Sequence, residues 1–329
     1  MKRLVALVIV MLMVLTALLY SAGKKEEQKY VFTVATVTAE THIQGRALKE
    51  LGNRLQKETN GRIEFRMFYS GQLGKSETLR DSVIKGNVDI MNEGLGLFSS
   101  YHPSIDLLEA FYSFKSLEHF KSVVNTPGKL DYFNNLLLKN PGVRILFYSG
   151  GYERDIISTF PINSIADLRG KTMRSRNVKV EMDWWKLLGA NPVPVDFGEI
   201  YTAMQTGVVQ GTQNSTEAMI SSRLVEVGKY VARTQHRIEM TGAVMNEAKF
   251  QNLPKEFQNL ILKLSAEIQK EYIDIAIGET EGHLKTMREK YGITITTPDL
   301  GPFVEASRKQ FWELADKLNV RTMAEQIFN

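Results

Sequence analysis

The chain has no cysteine among its 329 residues. That absence removes disulfides, thiolate metal sites, a cysteine nucleophile and a lipoprotein anchor on an N-terminal cysteine. Histidine is scarce, and the five present (His42, His102, His119, His236 and His283) show no metal-ligand spacing, so no metal site is expected. There is no GxSxG, no Walker loop and no HExxH, and Gly94-Leu95-Gly96 lacks the third glycine of a dinucleotide loop. No cofactor is therefore expected, and no catalytic signature stands out. Charge of one sign is also missing. The formal net charge is +4, or +2 without Lys2 and Arg3, which is too small and dispersed for nucleic acid. What remains, 43% hydrophobic and 24% charged, is the composition of a soluble globular protein long enough for two domains.

Residues 1–23 read as a secretory signal: Lys2 and Arg3, then an apolar run over 4–19 broken only by Thr16, then Ser21-Ala22-Gly23 for cleavage. The run is long enough that an uncleaved membrane anchor is the competing reading. Residues 24–29 are a polar linker.

Residues 30–37 alternate and are β-branched, which predicts a strand. A helix opens near His42, with Ala47, Leu48, Leu51 and Leu55 on one face, and ends at Asn60-Gly61. Ile63, Phe65 and Met67 mark a second strand, 77–85 a short helix stopped by Gly86, and 88–91 a buried strand with Glu93 beyond it. Residues 143–148 form another strand, followed by Gly150 and Gly151, a natural crossing point between domains.

The densest run of start and stop signals lies between residues 165 and 217. It predicts a strand at 171–175, and a helix through Val180, Trp184, Leu187 and Leu188 closed by Gly189. An extended Pro192-Val193-Pro194-Val195 follows. Asp196-Phe197-Gly198-Glu199 has the form of a capping box before a helix ending at Gly207, and 208–211 reads as a strand. Strand–helix–strand–helix–strand is a small parallel α/β unit, and it repeats the pattern of the first hundred residues. Of Trp184 and Trp185, one ring is expected in the core and one at a helix flank, where it could line a cleft. Further on, Pro254 opens a helix that nothing breaks until Gly292, roughly 55 Å long, a length suited to tying two domains together. A strand at 293–295 and a helix over 303–318 close the chain.

Ligands of open α/β sheets bind beyond the carboxyl ends of strands, where Arg174 and Asn214 arrive. A guanidinium and a carboxamide there suit a carboxylate. Arg174 could equally be a solvated strand-end charge. Glu93 could be a backbone-bonded buried acceptor, or a group that meets ligand hydroxyls.

The same residues carry a resemblance. ADLRGKTMR (166–174), LLGANPVPVDFGEIYTAMQTGVV (187–209) and an asparagine soon after Gly211 resemble the extracytoplasmic solute receptors of tripartite ATP-independent periplasmic (TRAP) transporters, the DctP-like proteins. The segment at 41–74, GNVDIM (86–91) and LPKEFQNLILKLSAE (253–267) extend the likeness over roughly residues 30 to 318 in one register.

The resemblance implies a two-domain α/β periplasmic binding protein fold, with a ligand cleft between domains and a long domain-spanning C-terminal helix. Domain I would hold 30–150 plus about 241–278, and domain II 151–240 plus about 279–329. By position, the family's carboxylate-clamping arginine falls on Arg174 and its second arginine on Arg154. The pocket asparagine falls on Asn214, the FGE aromatic on Phe197, and the acid after the VDI strand on Glu93. Gln210 and Gln213 depart from acidic residues common in the family, and Lys75 stands where some sugar-acid receptors have an acid, which favours a small, more anionic ligand. The implied function is binding, without catalysis, of a small organic acid: a dicarboxylate or a 2-oxo or hydroxy acid, with a larger sugar acid as the alternative. Delivery would be to integral-membrane TRAP subunits. A periplasmic carboxylate-processing enzyme is the rival; it needs a base or nucleophile beside the arginines, and none has a recognisable signature.

Overall fold

The computed structural model describes residues 28–329, so the expected signal segment, and all but the end of the linker, lie outside the described residues. The first unit runs β1 (Tyr30–Ala35), α1 (Ile43–Glu58), β2 (Ile63–Phe68), α2 (Ser76–Lys85) and β3 (Ile90–Gly94), followed by short helices α3 (Asp106–Glu109), α4 (Leu117–Asn125) and α5 (Asp131–Lys139). Glycine ends α2 where expected, with Gly86 in the left-handed region at φ 75°. The buried strand begins two residues later than predicted. Asp89 is the transition: its N donates to Thr33 O and its O accepts from Asn246 N, while its side chain also accepts from Thr33 N at 2.7 Å.

The next strand, β4 (Val143–Ser158), has 16 residues and runs far past the predicted end. The second unit follows: β5 (Thr172–Ser175), α6 (Lys179–Leu187), β6 (Asn191–Pro194), α7 (Ile200–Gln205) and β7 (Gly211–Ser215). Here the predicted strand 208–211 is displaced. The helix ends at Gln205, Gly207 turns at φ 77°, and Val209 N bonds back to Ala203 O, so 206–209 form the turn that closes the helix; Gln210 N bonds Thr172 O and the strand begins at Gly211. The expected capping box is also absent: Asp196 makes no capping bond, because it and Glu199 instead accept from Lys75 Nζ. Both tryptophans are fully buried, so neither flanks a helix or lines a cleft. Trp184 stacks on Phe111 with centroids 4.0 Å apart, and its Nε1 donates to Ser307 Oγ.

After α8 (Thr216–Ser221) and α9 (Leu224–Val227) comes β8 (Tyr230–Asn246), 17 residues long. Then follow α10 (Glu247–Gln251), α11 (Lys255–Tyr291), β9 (Thr294–Thr296), α12 (Gly301–Lys317) and α13 (Arg321–Phe328). The final helix was not legible beforehand.

The strands form one sheet in the order β2-β1-β3-β8-β4-β7-β5-β6, with β9 beside β8. Each unit contributes three parallel strands in the same spatial order, its third strand innermost and its second outermost. Between them lie β4 and β8, paired antiparallel along most of their length. Both units therefore share two long strands. Their pairing shifts register between Gly150 and Glu153, where φ is 121° at Gly150 and 98° at Gly151. A Cβ on Gly150 would lie 2.1 Å from Glu239 O, so only glycine fits the crossing.

Helix α11 ties the units from outside. Phe257, Ile261, Leu264 and Ile268 pack with Leu48, Leu51 and Phe147, while Leu284 and Met287 pack with Ile200, Met204 and Val231 of the other half. Its 37 residues span roughly 55 Å, as the uninterrupted period predicts. Phe311, Ala315 and Phe328 of the last two helices pack with Phe114 and Phe120.

Candidate functional site

The carboxyl ends of β3, β5 and β7 converge where β4 and β8 cross. Between them lies a cavity of about 460 Å³. All five residues singled out in the sequence line it: Glu93, Arg154, Arg174, Phe197 and Asn214.

Arg154, on β4, is almost wholly buried and fully engaged. Nε donates to Gln213 Oε1 at 2.5 Å, Nη1 to Glu239 Oε2 at 3.0 Å, and Nη2 to Asn214 Oδ1 at 2.8 Å and Gln213 O at 3.2 Å. Gln213 thus serves as an acceptor for this guanidinium, and Gln210 accepts from Thr172 N, which settles their local bonding. Asn214 is left with a buried Nδ2 that has no acceptor among the described residues.

Arg174, on β5, differs. It is 2% exposed, yet its one bond among the described residues is Nε to Val195 O at 2.8 Å, and it has no carboxylate partner. Burial lowers its pKa to about 10, partly offset by Glu181. The solvated strand-end reading is therefore excluded by burial.

Glu93 accepts from Val37 N at 2.8 Å and Thr36 Oγ1 at 3.2 Å through Oε1, and from Ser76 Oγ at 3.2 Å through Oε2. It is at once backbone-bonded and cavity-lining. Burial raises its pKa to about 7, although those three bonds pull the other way. Phe197 is half-buried at the rim.

Lys75 does not line the cavity. It is 58% exposed and reaches across from the start of α2 to Asp196 and Glu199, so its presence gives no direct reading of the ligand's charge. A second contact between the units pairs buried groups: His42 Nε2 lies 2.9 Å from Glu217 Oε2, as an ion pair not aligned as a hydrogen bond. Burial lowers the His42 pKa, but Glu217 outweighs it and the net shift is upward.

Several wall residues were missed. Arg176 bonds Glu109 and Glu181, each at 2.8 Å, and Arg237 bonds Glu109 at 2.8 Å. Burial raises the Glu109 pKa, but Arg176 and Arg237 dominate and bring it down to about 2. The signal for Arg237 lay in β8, where Arg237, Glu239 and Thr241 alternate with Ile238 and Met240 at the strand's period of two, and all three line the cavity. Nothing local marks Glu109, which lies 128 residues from Arg237. Among the described residues, four cleft guanidiniums (Arg154, Arg174 and Arg237 buried, Arg176 half-buried) thus face three paired carboxylates (Glu109, Glu181 and Glu239), and Arg174 is the one left over.

The profile of one family, described as bacterial extracellular solute-binding protein, family 7 (DctP), matches residues 34–317. The chain belongs to that family. It is 30% identical over 288 residues to a solute-binding protein of Roseobacter denitrificans, covering 86% of each chain. To the 2,3-diketo-L-gulonate-binding periplasmic protein of Escherichia coli it is 27% identical over 274 residues, covering 83% of each. Among solved structures, a TRAP periplasmic solute-binding protein of Roseobacter denitrificans with bound L-galactonate superposes with a TM-score of 0.84 at 26% identity, covering 92% of this chain and 99% of that one. One from a Sulfitobacter with bound α-D-taluronate gives 0.86 at 22% identity, covering 91% and 97%. The fold is the two-domain α/β binding-protein fold with its long C-terminal helix, and the chain is a TRAP solute-binding protein, a receptor and not an enzyme. Such family members are extracytoplasmic, and no helix among the described residues is long and apolar enough to cross a membrane.

The Glu93 shift has a sign. Its folded-state pKa lies above the ordinary value of 4.5, so its contribution to stability is fully present below pH 4.5 and is lost as pH rises through about 7. Glu93→Gln should abolish that part of the pH dependence, at most about 3 kcal/mol between pH 4.5 and 8. Urea denaturation of both proteins at the two pH values measures it. Equal losses in parent and variant would mean that Glu93 ionises freely.

Proposed function

We propose that this receptor captures an organic acid by seating one carboxylate on Arg174, and hands it to membrane TRAP subunits. One observation carries the reading: among the described residues, Arg174 is the only one of the four cleft guanidiniums with no carboxylate at ion-pair distance. A buried cation kept in that state wants an anion. Asn214 Nδ2, buried and unpaired beside Arg154, supplies a second donor to the same region. The relatives' sugar acids, L-galactonate and α-D-taluronate, are hydroxylated monocarboxylates. Acceptors along the rest of the wall, including Glu93, Glu239, Thr38 and Thr241, suit ligand hydroxyls.

A lysine ammonium cannot offer the two parallel donors that a carboxylate accepts. Arg174→Lys should therefore lose most of the affinity while keeping the charge. Arg174→Ala should weaken binding by about 30-fold or more, since truncating one partner of a buried charged pair costs about 2–5 kcal/mol. Calorimetric titration with D-galacturonate, D-glucuronate and L-galactonate, and with whatever acid mass spectrometry finds released on denaturation, tests both. Parent-like binding by the lysine variant would place the clamp elsewhere.

Closure is the accompanying motion. Residues 30–150 with about 241–278 would form one body, and 151–240 with about 279–329 the other, hinged where β4 and β8 shift register. Lys75 to Asp196 and Glu199, and His42 to Glu217, would be contacts made on closing. Small-angle scattering should show a smaller radius of gyration at ligand saturation than without ligand. An unchanged radius would remove the hinge.

The mature receptor would begin near Lys24 after export, because small residues end the leader's apolar run with no stop-transfer flank. N-terminal sequencing of exported protein should read that residue. Retention of Met1 in a membrane fraction would make the segment an anchor.

A further inference from the structure

A second guanidinium in the cavity wall has donors to spare. Arg237 is 4% exposed and lines the cavity. One end of it is firmly held: Nη1 donates to Glu109 Oε2 at 2.8 Å and to Glu109 O at 3.3 Å, and the group lies 5.6 Å from the centre of the Phe111 ring. Glu109 is itself fixed by Arg176 and by Gly96 N. The other edge is unused. Nε is buried with no acceptor, and Nη2 makes no hydrogen bond among the described residues. Nε and Nη2 carry parallel N–H bonds along one edge, in the guanidinium plane, a geometry that grips an oxygen side-on.

We propose that Arg237 is a specificity-determining residue, whose free edge takes a second, uncharged oxygen of the ligand, a hydroxyl or a carbonyl. This rests on the reading that the ligand's carboxylate sits on Arg174. Charge decides against a second carboxylate. Arg176 and Arg237 are already matched by Glu109 and Glu181, and Arg154 by Glu239, so one anionic group on Arg174 answers the last of the four guanidiniums. A second would be buried in excess, close to Glu239 and Glu93, which also line the cavity. An uncharged acceptor relieves the unpaired donors without that cost. Burial and the neighbouring Arg176 lower the pKa of Arg237 to about 9, so an added acceptor also favours the group's charged form. The ligand class narrows accordingly, to monocarboxylates carrying an oxygen within the cavity's reach of the acid group.

The test is calorimetry on the parent and on Arg237→Lys. The lysine keeps a cation beside Glu109 but removes the side-on edge, and thermal denaturation checks that it folds. The probes are three hydroxylated monoacids (D-galacturonate, D-glucuronate and L-galactonate) and galactarate, the dicarboxylate counterpart of the two galacto acids. The parent should bind at least one monoacid about tenfold or more tighter than galactarate. Arg237→Lys should weaken that monoacid about tenfold or more, and narrow its advantage over galactarate. Equal weakening of both probes would mean a merely structural role, and unchanged monoacid binding would mean no contact; either overturns the inference and leaves the Arg174 reading intact. Tighter binding of galactarate by the parent would also overturn it, by showing an anion at the second position. If the parent binds none of the four, the sugar-acid reading fails first and this inference falls with it.

Discussion

Burying several guanidinium groups in one cleft is possible only if nearly every charge is answered. Desolvation disfavours each cation by several kcal/mol, and each is repaid by a carboxylate at hydrogen-bond distance or not at all. Arg154 answers to Glu239, Arg176 to Glu109 and Glu181, and Arg237 to Glu109. That pairing fixes the backbone around it. Glu109 brings α3 and Gly96 against the second unit, and Glu181 anchors the start of α6 through Arg176 N as well as Nε. The matched groups form a frame in which Arg174 stands without a carboxylate, and that is the position the proposed ligand carboxylate would fill.

The frame depends on the sheet. Two parallel units alone would put Glu93, Arg174 and Asn214 at separate strand ends. The long antiparallel pair β4 and β8 brings those ends together, and adds Arg154, Arg237, Glu239 and Thr241 from its own middle. The register shift at Gly150 lies within four residues of Arg154 and opposite Met240. The crossing point and the binding chemistry thus occupy the same few residues, which is where a hinge must lie if domain movement is to be felt by the ligand.

This division explains what was legible in the sequence. Helix ends were readable because glycine marks them chemically: Gly61, Gly86, Gly189, Gly207 and Gly292 all have positive φ. Arg174 and Asn214 were readable because strand ends in an α/β unit are where ligands go. The full length of β4 and β8 was not, since strands buried on both faces lose the alternation that identifies a strand. Glu109, the carboxylate that Arg176 and Arg237 share, was hidden for another reason. Its pairing is tertiary, across 67 and 128 residues, and no local pattern encodes it. The burial of Trp184 likewise follows from Phe111 and Ser307, far away in the chain.

Asp196 and Glu199 show the same competition at smaller energy. Locally, Asp-x-x-Glu before a helix specifies a capping box, worth about 1 kcal/mol. In the folded chain both carboxylates turn to Lys75 instead, and the helix starts without its side-chain cap. Lys75 is 58% exposed, so its ion pairs are screened by solvent and stabilise no more than a helix cap would. The two arrangements are therefore close in free energy. A strap across the cleft mouth whose acidic partners keep a nearly equal alternative holds the units together without locking them. A receptor that must release what it binds can tolerate a strap of that strength, whereas a buried pair at the same place would hold it shut.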